Sequence, residues 1–216
     1  MGGAEVLCYA AQGPADTRKH IRGYLLESPF VDFNPASRPS HFTVVMGRIA
    51  GKLLPHIQMV QVIDAKFLSR DPEVQKEFIE DKLCHNTGTL EGLAGMLDRA
   101  AGLSSGQIKV GNSAGEGGVT KIWISHGTAD QVCSFDASKK LANQLTAEDK
   151  EFKSYDGWYH KCKQNTIHAF RSFCLHYLVH AEPKPDNETY ASDVASWILA
   201  RSSEPVKSDG GAKSKL

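Results

Sequence analysis

The sequence KIWISHGTAD at residues 121–130 decides the fold. Its first half, KIWIS, is a short run of β-branched and aromatic residues, which is typical of a buried strand. Gly127 then breaks the strand and a carboxylate, Asp130, follows. Apolar residues recur at helical spacing over 136–145, and a second strand is predicted at 151–155. A turn at Asp156-Gly157 leads to His160. The pattern predicts the order strand, aspartate loop, helix, strand, histidine loop.

Two side chains in this stretch can act together if the strands are parallel. Loops that leave the carboxyl ends of parallel strands meet at one edge of the sheet, where such folds bind ligands. Asp130 and His160 could therefore meet in space. A carboxylate bonded to one ring nitrogen of an imidazole lets the other nitrogen take a proton from a nucleophile. The plainer alternative is that Asp130 caps the following helix and His160 is an ordinary loop histidine.

Bulk composition restricts the function classes. The chain has 216 residues, enough for one domain with a sizeable core, and 41% of them are hydrophobic. Lys+Arg and Asp+Glu both number 25, so no charge excess predicts nucleic acid as a partner. No apolar run approaches the ~20 residues of a membrane span. Five scattered cysteines without a secretory signal favour free thiols in a reducing compartment.

The first hundred residues read as a helix, a strand and a long helical block. Residues 1–10 have helical periodicity that Gly13-Pro14 ends, and 21–28 read as a strand. Helical patterns then fill much of 35–104, with an apolar stripe on 41–54. This block is too long for a plain crossover between strands. We interpret it as a helical cap inserted over a site; a purely structural elaboration is the alternative.

The remaining segments carry fewer signals. Glycine and serine predict a flexible surface loop at 104–118. Residues 162–179 mix Cys, His and aromatic residues at spacings that match no zinc-finger pattern, so no metal site is predicted. An amphipathic helix over 186–201 is predicted to pack on the sheet, and 202–216 reads as a disordered tail. The tail ends in Ser214-Lys215-Leu216, a peroxisomal address.

These motifs resemble the α/β-hydrolase fold, and in particular the monoacylglycerol lipase family and its fungal members, whose domain is of the serine aminopeptidase S33 type. LESP at 26–29, LSRDPEV at 68–74 and DKLC at 81–84 resemble the approach to the cap and the cap itself. HGTAD at 126–130 and DGWYH at 156–160 resemble the acid and histidine loops. The resemblance implies a mostly parallel sheet with an inserted cap.

The same resemblance implies roles for individual residues. Asp130 would be the triad acid and His160 the general base, and Val132 is assigned to substrate binding. The family's nucleophile lies in Gly-His-Ser-Met-Gly-Gly, of which Met1-Gly2-Gly3 matches only the end. We therefore expect the serine to precede Met1, and expect none of the chain's own serines to form the elbow. Met1 then occupies an oxyanion position, but as a free terminal amine.

The domain prediction follows from this alignment of motifs. Residues 1–201 would be the C-terminal part of an α/β-hydrolase domain, with the cap at 35–104 and a tail at 202–216. Residues 162–179 have no counterpart in the family pattern and suit a retained intron translated in frame. Such a chain is expected to be inactive by itself.

The implied function is hydrolysis of a monoacylglycerol to a fatty acid and glycerol, with no metal or organic cofactor. The expected partners are a lipid ester, a membrane or lipid-droplet surface and, through residues 214–216, a peroxisomal import receptor; no nucleic acid is expected. The protein would then lie in the peroxisome, the cytoplasm or on lipid droplets. The alternatives are a non-catalytic acyl- or lipid-binding protein of the same fold, and a hydrolase of another ester or thioester. Cys133 is either an apolar filler or a reactive thiol.

Overall fold

The computed structural model describes residues 1–83, 86–160 and 186–202. The predicted insert at 162–179, the tail after residue 202 and Ser214-Lys215-Leu216 lie outside these residues. Short 3-10 turns occur at Ala65–Phe67 and Glu116–Gly118. The longer elements, in chain order, are α1 Gly2–Gln12, α2 Ala15–Arg18, β1 Tyr24–Glu27, α3 His41–Leu53, β2 Gln58–Val60, α4 Pro72–Glu80, β3 Thr87–Thr89, α5 Leu90–Ser105, β4 Lys121–Gly127, α6 Phe135–Gln144, β5 Asp149–Tyr155 and α7 Asp186–Ser202.

Three parallel strands form the sheet that positions the site. Their order is β1-β4-β5, with Tyr24 opposite Ile122 and Lys121 opposite Asp149. The central strand β4 is buried from its second residue onward, as expected for a parallel strand covered on both faces. The predicted strands around 121–125 and 151–155 are therefore confirmed. All three strands end at the same edge, so the loops after β4 and β5 are neighbours.

Helices cover both faces of this sheet. On one face Ile122 and Ile124 belong to a core cluster with Leu7 of α1, Leu103 of α5 and Leu141 of α6. Side chains alternate along a strand, so the residue between the two isoleucines points to the other face.

On that other face Trp123 meets Trp197 of α7 edge to face, with ring centroids 6.2 Å apart. The end of α7 is held by Arg201, whose Nε donates to Asp149 Oδ2 at 2.8 Å. The predicted packing of the last helix on the sheet is confirmed.

The block predicted as a cap contains α3, α4, α5 and the antiparallel pair β2–β3. Asp71 caps α4 through a bond from Glu73 N–H, and Thr89 caps α5 through a bond from Gly92 N–H. The second half of α5, however, packs in the main core through Ala100 and Leu103. The domain boundaries near 35 and 104 stay predictions, but the last turns of this block belong to the body beside the sheet.

The apolar stripe of α3 is exposed. Phe42 and Leu53 are each 74% exposed, and Val45, Met46 and Ile49 are 37–46% exposed. Met59 and Val60 on β2 are also exposed. Among the helices that the structure describes, none is long and apolar enough to cross a bilayer.

The prediction of a flexible surface loop at 104–118 is wrong in part. Ser104 and Ser105 belong to α5, and Val110 and Ala114 are buried in the main core. Hydrogen bonds fix the segment: Tyr24 Oη donates to the Ala114 carbonyl at 2.5 Å, and Thr120 Oγ1 donates to the Gly111 carbonyl at 2.6 Å. These partners lie outside the segment, so its own glycine-rich composition did not reveal them.

Candidate functional site

The loops after β4 and β5 touch because Gly127 has no side chain. A Cβ at this position would lie 2.3 Å from the carbonyl oxygen of Trp158, far inside van der Waals contact. That carbonyl accepts a hydrogen bond from Ala129 N–H at 3.0 Å. Gly127 therefore ends the strand and also lets the histidine loop cross directly over the aspartate loop.

Thr128 and Gly157 fasten the two loops together. Thr128 N–H donates to the Tyr155 carbonyl at 2.9 Å, and its hydroxyl donates to Asp156 Oδ1 at 3.0 Å. The same hydroxyl accepts from Gly157 N–H at 2.8 Å. Gly157 has a φ of +72°, a conformation that glycine adopts readily. These bonds set the direction in which the chain runs on to His160.

Asp130 is a buried carboxylate held by its own loop. Its Oδ1 accepts from Val132 N–H at 2.8 Å and Cys133 N–H at 2.9 Å, and its carbonyl accepts from the Asn34 amide at 2.7 Å. The following helix is capped by Ser134, which accepts from Ala137 N–H. Asp130 is thus not the helix cap that the plainer interpretation required.

The imidazole of His160 reaches this carboxylate. Its Nδ1 lies 2.8 Å from Asp130 Oδ2, and the side chain of His160 is 17% exposed. The two residues therefore meet as the strand order predicted. Burial alone would lower the pKa of His160, but hydrogen bonds to Asp130 and to Cys133, and their charges, raise it to about 10. The pair favours a protonated ring beside an ionised acid.

A second imidazole, which the sequence reasoning missed, lies against the same oxygen. Nε2 of His126 is 3.0 Å from Asp130 Oδ2, and neither side chain has exposed surface. Burial alone would raise the pKa of Asp130, but the contacts with His126 and His160 hold that pKa well below its usual range. A signal was present in the sequence: His126 is an ionisable residue near the end of a strand whose middle, 122–124, is apolar, and it lies four residues before Asp130.

Val132 and Met1 were also predicted to belong to the site. Val132 is half-buried against the main core, and its N–H is one of the two that hold Asp130. Met1 precedes α1 and is 61% exposed, and its carbonyl accepts from Ala4 N–H. Substrate binding by Val132 and an oxyanion position at Met1 stay predictions.

Cys133 is buried and unoxidised. It is a member of the main core, 2% exposed, and its backbone forms an isolated bridge with Phe33. Its thiol also contacts the His160 ring. Cys133 thus fills the core beside the site, while its reactivity stays open.

The pattern Gly-x-Ser-x-Gly occurs twice in the chain, at 102–106 and 111–115. A nucleophile elbow is a sharp turn between a strand and a helix. Ser104 instead lies in the last turn of α5. The second match lies before β4 in the chain. The Asn112 carbonyl accepts from Thr120 N–H, and the Ala114 carbonyl accepts from the hydroxyl of Tyr24 at the start of β1.

Position excludes the second match as a partner of His160. Ser113 lies near the amino ends of the strands, whereas Asp130 and His160 lie past their carboxyl ends. Neither match forms an elbow, so the structure excludes Ser104 and Ser113 as the nucleophile.

Asp130, Cys133 and His160 are also residue types that bind metals. Their donor atoms lie within 4.8 Å of one another. The oxygen and nitrogen ligands of a tetrahedral zinc ion stand ~3.3 Å apart, given metal–ligand bonds of about 2.0–2.1 Å. The 2.8 Å between Oδ2 and Nδ1 is shorter and matches a hydrogen bond. The cluster is arranged as an acid–base pair.

A polar cavity adjoins the pair. It has a volume of about 410 Å³ and lies between the 3-10 turn, α4 and the two site loops. Gln131 and Tyr159, the sequence neighbours of Asp130 and His160, form part of its wall. Its other lining residues are Lys66, Phe67, Ser69, Arg70 and Gln75.

Comparison with known proteins gives consistent results. The family described as Serine aminopeptidase, S33 matches residues 1–165. A Schizosaccharomyces pombe protein named as a candidate monoglyceride lipase is 27% identical over 212 residues, which is 97% of this chain and 49% of that protein. Human monoglyceride lipase is 28% identical over 164 residues, 74% of this chain and 48% of the human protein. The chain spans about half the length of these relatives.

A solved structure shows the same fold. The crystal structure of a soluble variant of monoglyceride lipase from Saccharomyces cerevisiae, in complex with a substrate analog, superposes with a TM-score of 0.73 at 19% identity. The match covers 92% of this chain and 59% of that one. The parallel sheet with its flanking helices is therefore an α/β-hydrolase fold.

Proposed function

The chain belongs to the serine aminopeptidase S33 family of hydrolases, and from that membership we propose that the protein hydrolyses a monoacylglycerol ester. The observation that carries the proposal is the 2.8 Å bond between His160 Nδ1 and Asp130 Oδ2 at the carboxyl edge of the sheet. Relatives named monoglyceride lipase support the substrate class.

In the proposed reaction Asp130 orients His160 and stabilises its charged form. Nε2 of His160, in the fraction of molecules whose ring is neutral, takes the proton of a serine hydroxyl as the serine oxygen attacks the ester carbonyl. The imidazolium then gives that proton to the glycerol oxygen as the ester bond breaks. Water repeats the two steps on the acyl-enzyme and releases the fatty acid. None of the serines that the structure describes is assigned as the nucleophile.

Two surfaces of the chain suit an acylglycerol. The polar cavity beside Gln131 and Tyr159 would take the glycerol end, because its lining is rich in hydrogen-bonding side chains. The exposed apolar side chains of α3 and β2 would contact the lipid surface from which the substrate comes. Contact with a membrane or a lipid droplet is therefore part of the proposal.

A second candidate is a non-catalytic lipid-binding protein. One observation favours it: neither Gly-x-Ser-x-Gly match forms an elbow. In that case α3 and β2 would still bind lipid, and Asp130 and His160 would be a structural pair. Hydrolysis of another ester or a thioester is a third candidate, separated from the first by assays with substrates of different head group.

The test is release of fatty acid from a monoacylglycerol emulsion, measured on residues 1–216 and on the polypeptide that the complete transcript encodes. Where activity is found, we expect Asp130→Asn and His160→Gln to lower kcat about 10³- to 10⁴-fold, as for other triads. Ser104→Ala, Ser113→Ala and the exposed His41→Gln serve as matched controls with unchanged kcat. Full activity in His160→Gln contradicts the assignment. Lipid binding without hydrolysis in both polypeptides favours the second candidate.

A further inference from the structure

The Asp130 carboxylate receives more donors than an acid–base pair requires. An ionised carboxylate has about four lone-pair sites. Oδ1 is occupied by the N–H groups of Val132 and Cys133, so the loop itself fixes the orientation of the carboxylate. Oδ2 is then left to two imidazoles, His160 at 2.8 Å and His126 at 3.0 Å. All four sites have a neighbour.

The two imidazoles differ in access to solvent. The side chain of His160 is 17% exposed, whereas that of His126 is fully buried. His160 can exchange its proton with a substrate or with water. His126, which has no exposed surface, cannot exchange a proton with solvent in this way.

His126 is costly for the fold. Its ring is turned so that neither nitrogen makes a well-directed hydrogen bond with a described residue, although Nε2 touches Oδ2. Its other recorded contact is apolar, edge to face with Phe135 of α6 at 5.8 Å. A buried polar group without a directed bond destabilises the folded state. An apolar ring would fill the same space at lower cost.

We propose that His126 is a positioning residue that shares Asp130 Oδ2 with His160 and thereby limits how tightly the carboxylate holds the proton of His160. The inference rests on the proposed roles of Asp130 and His160. A base that has accepted a proton must pass it to the leaving group. A carboxylate oxygen that is also in contact with the polar edge of a second imidazole, here Nε2 of His126 at 3.0 Å, is a weaker acceptor for the first, so the imidazolium releases its proton more readily.

Among the described residues, the ionisable group that His126 contacts is Asp130. Cys133 and His160 in turn lie close to Asp130. The register partner of His126 on β5 is Ser154, and the facing residue of α6 is Phe135, neither of which is charged. A change in the titration of His160 on substitution of His126 therefore passes through Asp130.

The test is NMR of the full chain, labelled at histidine. The low-field proton of His160 Nδ1 is assigned by its loss in His160→Gln, and the pKa of His160 is read from its ring carbon shifts. His126→Phe keeps ring volume and removes both nitrogens. We expect the Nδ1 proton to move further downfield, the pKa of His160 to rise by about one, and the melting temperature to stay or increase. Phe135→Leu is the packing control and leaves the resonance in place.

Two further variants keep the inference testable if the phenylalanine variant does not fold. His126→Gln places an amide N–H within reach of Oδ2 and should resemble wild type. His126→Asn is too short and should behave like the phenylalanine variant. An unchanged or lowered His160 pKa in His126→Phe, or identical spectra for the Gln and Asn variants, overturns the proposal. The readout does not need ester turnover, so its failure is distinct from failure of the proposed hydrolase function.

Discussion

At the sheet edge, the polar side chains of His126 and Asp130 have no exposed surface, whereas along α3 the apolar side chains of Phe42 and Leu53 are each 74% exposed. The edge is polar and closed, held by bonds between two loops. The α3 surface is apolar and open. The edge therefore tolerates little change in shape, while α3 contributes little to stability through its exposed face and is free to be selected for contact with other molecules.

The largest effect on stability is expected from closing the gap between the two site loops. Gly127→Ala places a methyl 2.3 Å from the Trp158 carbonyl, which has to move. We expect a loss of about 3 kcal/mol in the free energy of unfolding, because backbone has to shift. Urea unfolding measures it. Gly47→Ala in α3 is the matched control, since nothing lies within 4 Å of its added Cβ. Equal stability of the two variants would show that the loops are not in contact.

A smaller effect is expected from pH. The pKa of His160 is raised from its ordinary value of about 6.5 to about 10 by its bonds to Asp130 and Cys133. Its contribution to stability is therefore complete below pH 6.5 and is lost as the pH rises through 10. We expect the free energy of unfolding to fall across that window, measured by urea unfolding at a series of pH values. The profile of His160→Gln should be flatter; parallel profiles would argue against the ion pair.

Thr128→Ala tests the fastening of the loops more gently. It removes the hydroxyl that bonds Asp156 Oδ1 and Gly157 N–H. We expect a loss of about 1 kcal/mol in unfolding free energy, with larger amide exchange rates at Gly157. Thr128→Ser keeps the hydroxyl and should restore both values. Should serine and alanine behave alike, the methyl group and not the hydroxyl would be the relevant contact.

The smallest effect on stability is expected on α3. Phe42→Glu and Leu53→Glu change exposed side chains, so the free energy of unfolding should change by less than about 0.5 kcal/mol. Sedimentation with neutral phosphatidylcholine vesicles should nevertheless show weaker binding. Glu73→Gln on the exposed first turn of α4 is the control and leaves binding unchanged. Unaltered vesicle binding in Phe42→Glu and Leu53→Glu would remove α3 from the proposed lipid contact.

The sequence predicted elements whose pattern is local. The strand at 121–125 is marked by its own residues, and the meeting of Asp130 with His160 follows from parallel strand order. Burial that depends on distant partners was not predictable. The apolar stripe of α3 does not reveal that it stays exposed, and the composition of 104–118 does not reveal that Tyr24 and Thr120 hold that segment in the core.

In the site, too, local patterns were predictable from the sequence and contacts between distant residues were not. Asp130 and His160 follow from the motif, while His126 looks like the end of a strand until the distance to Oδ2 is known. The two Gly-x-Ser-x-Gly matches show the opposite failure. The pattern is present, but Ser104 lies in a helix and Ser113 at the wrong edge of the sheet. A five-residue pattern does not encode the turn that makes the serine reactive.

The crossing of Trp158 over Gly127 has a practical consequence for the design of variant libraries. Because the two loops touch backbone to backbone, random libraries that include position 127 will consist mostly of poorly folded clones. Positions in the lining of the polar cavity and on the exposed face of α3 are better choices for randomisation, because single substitutions there leave the fold in place.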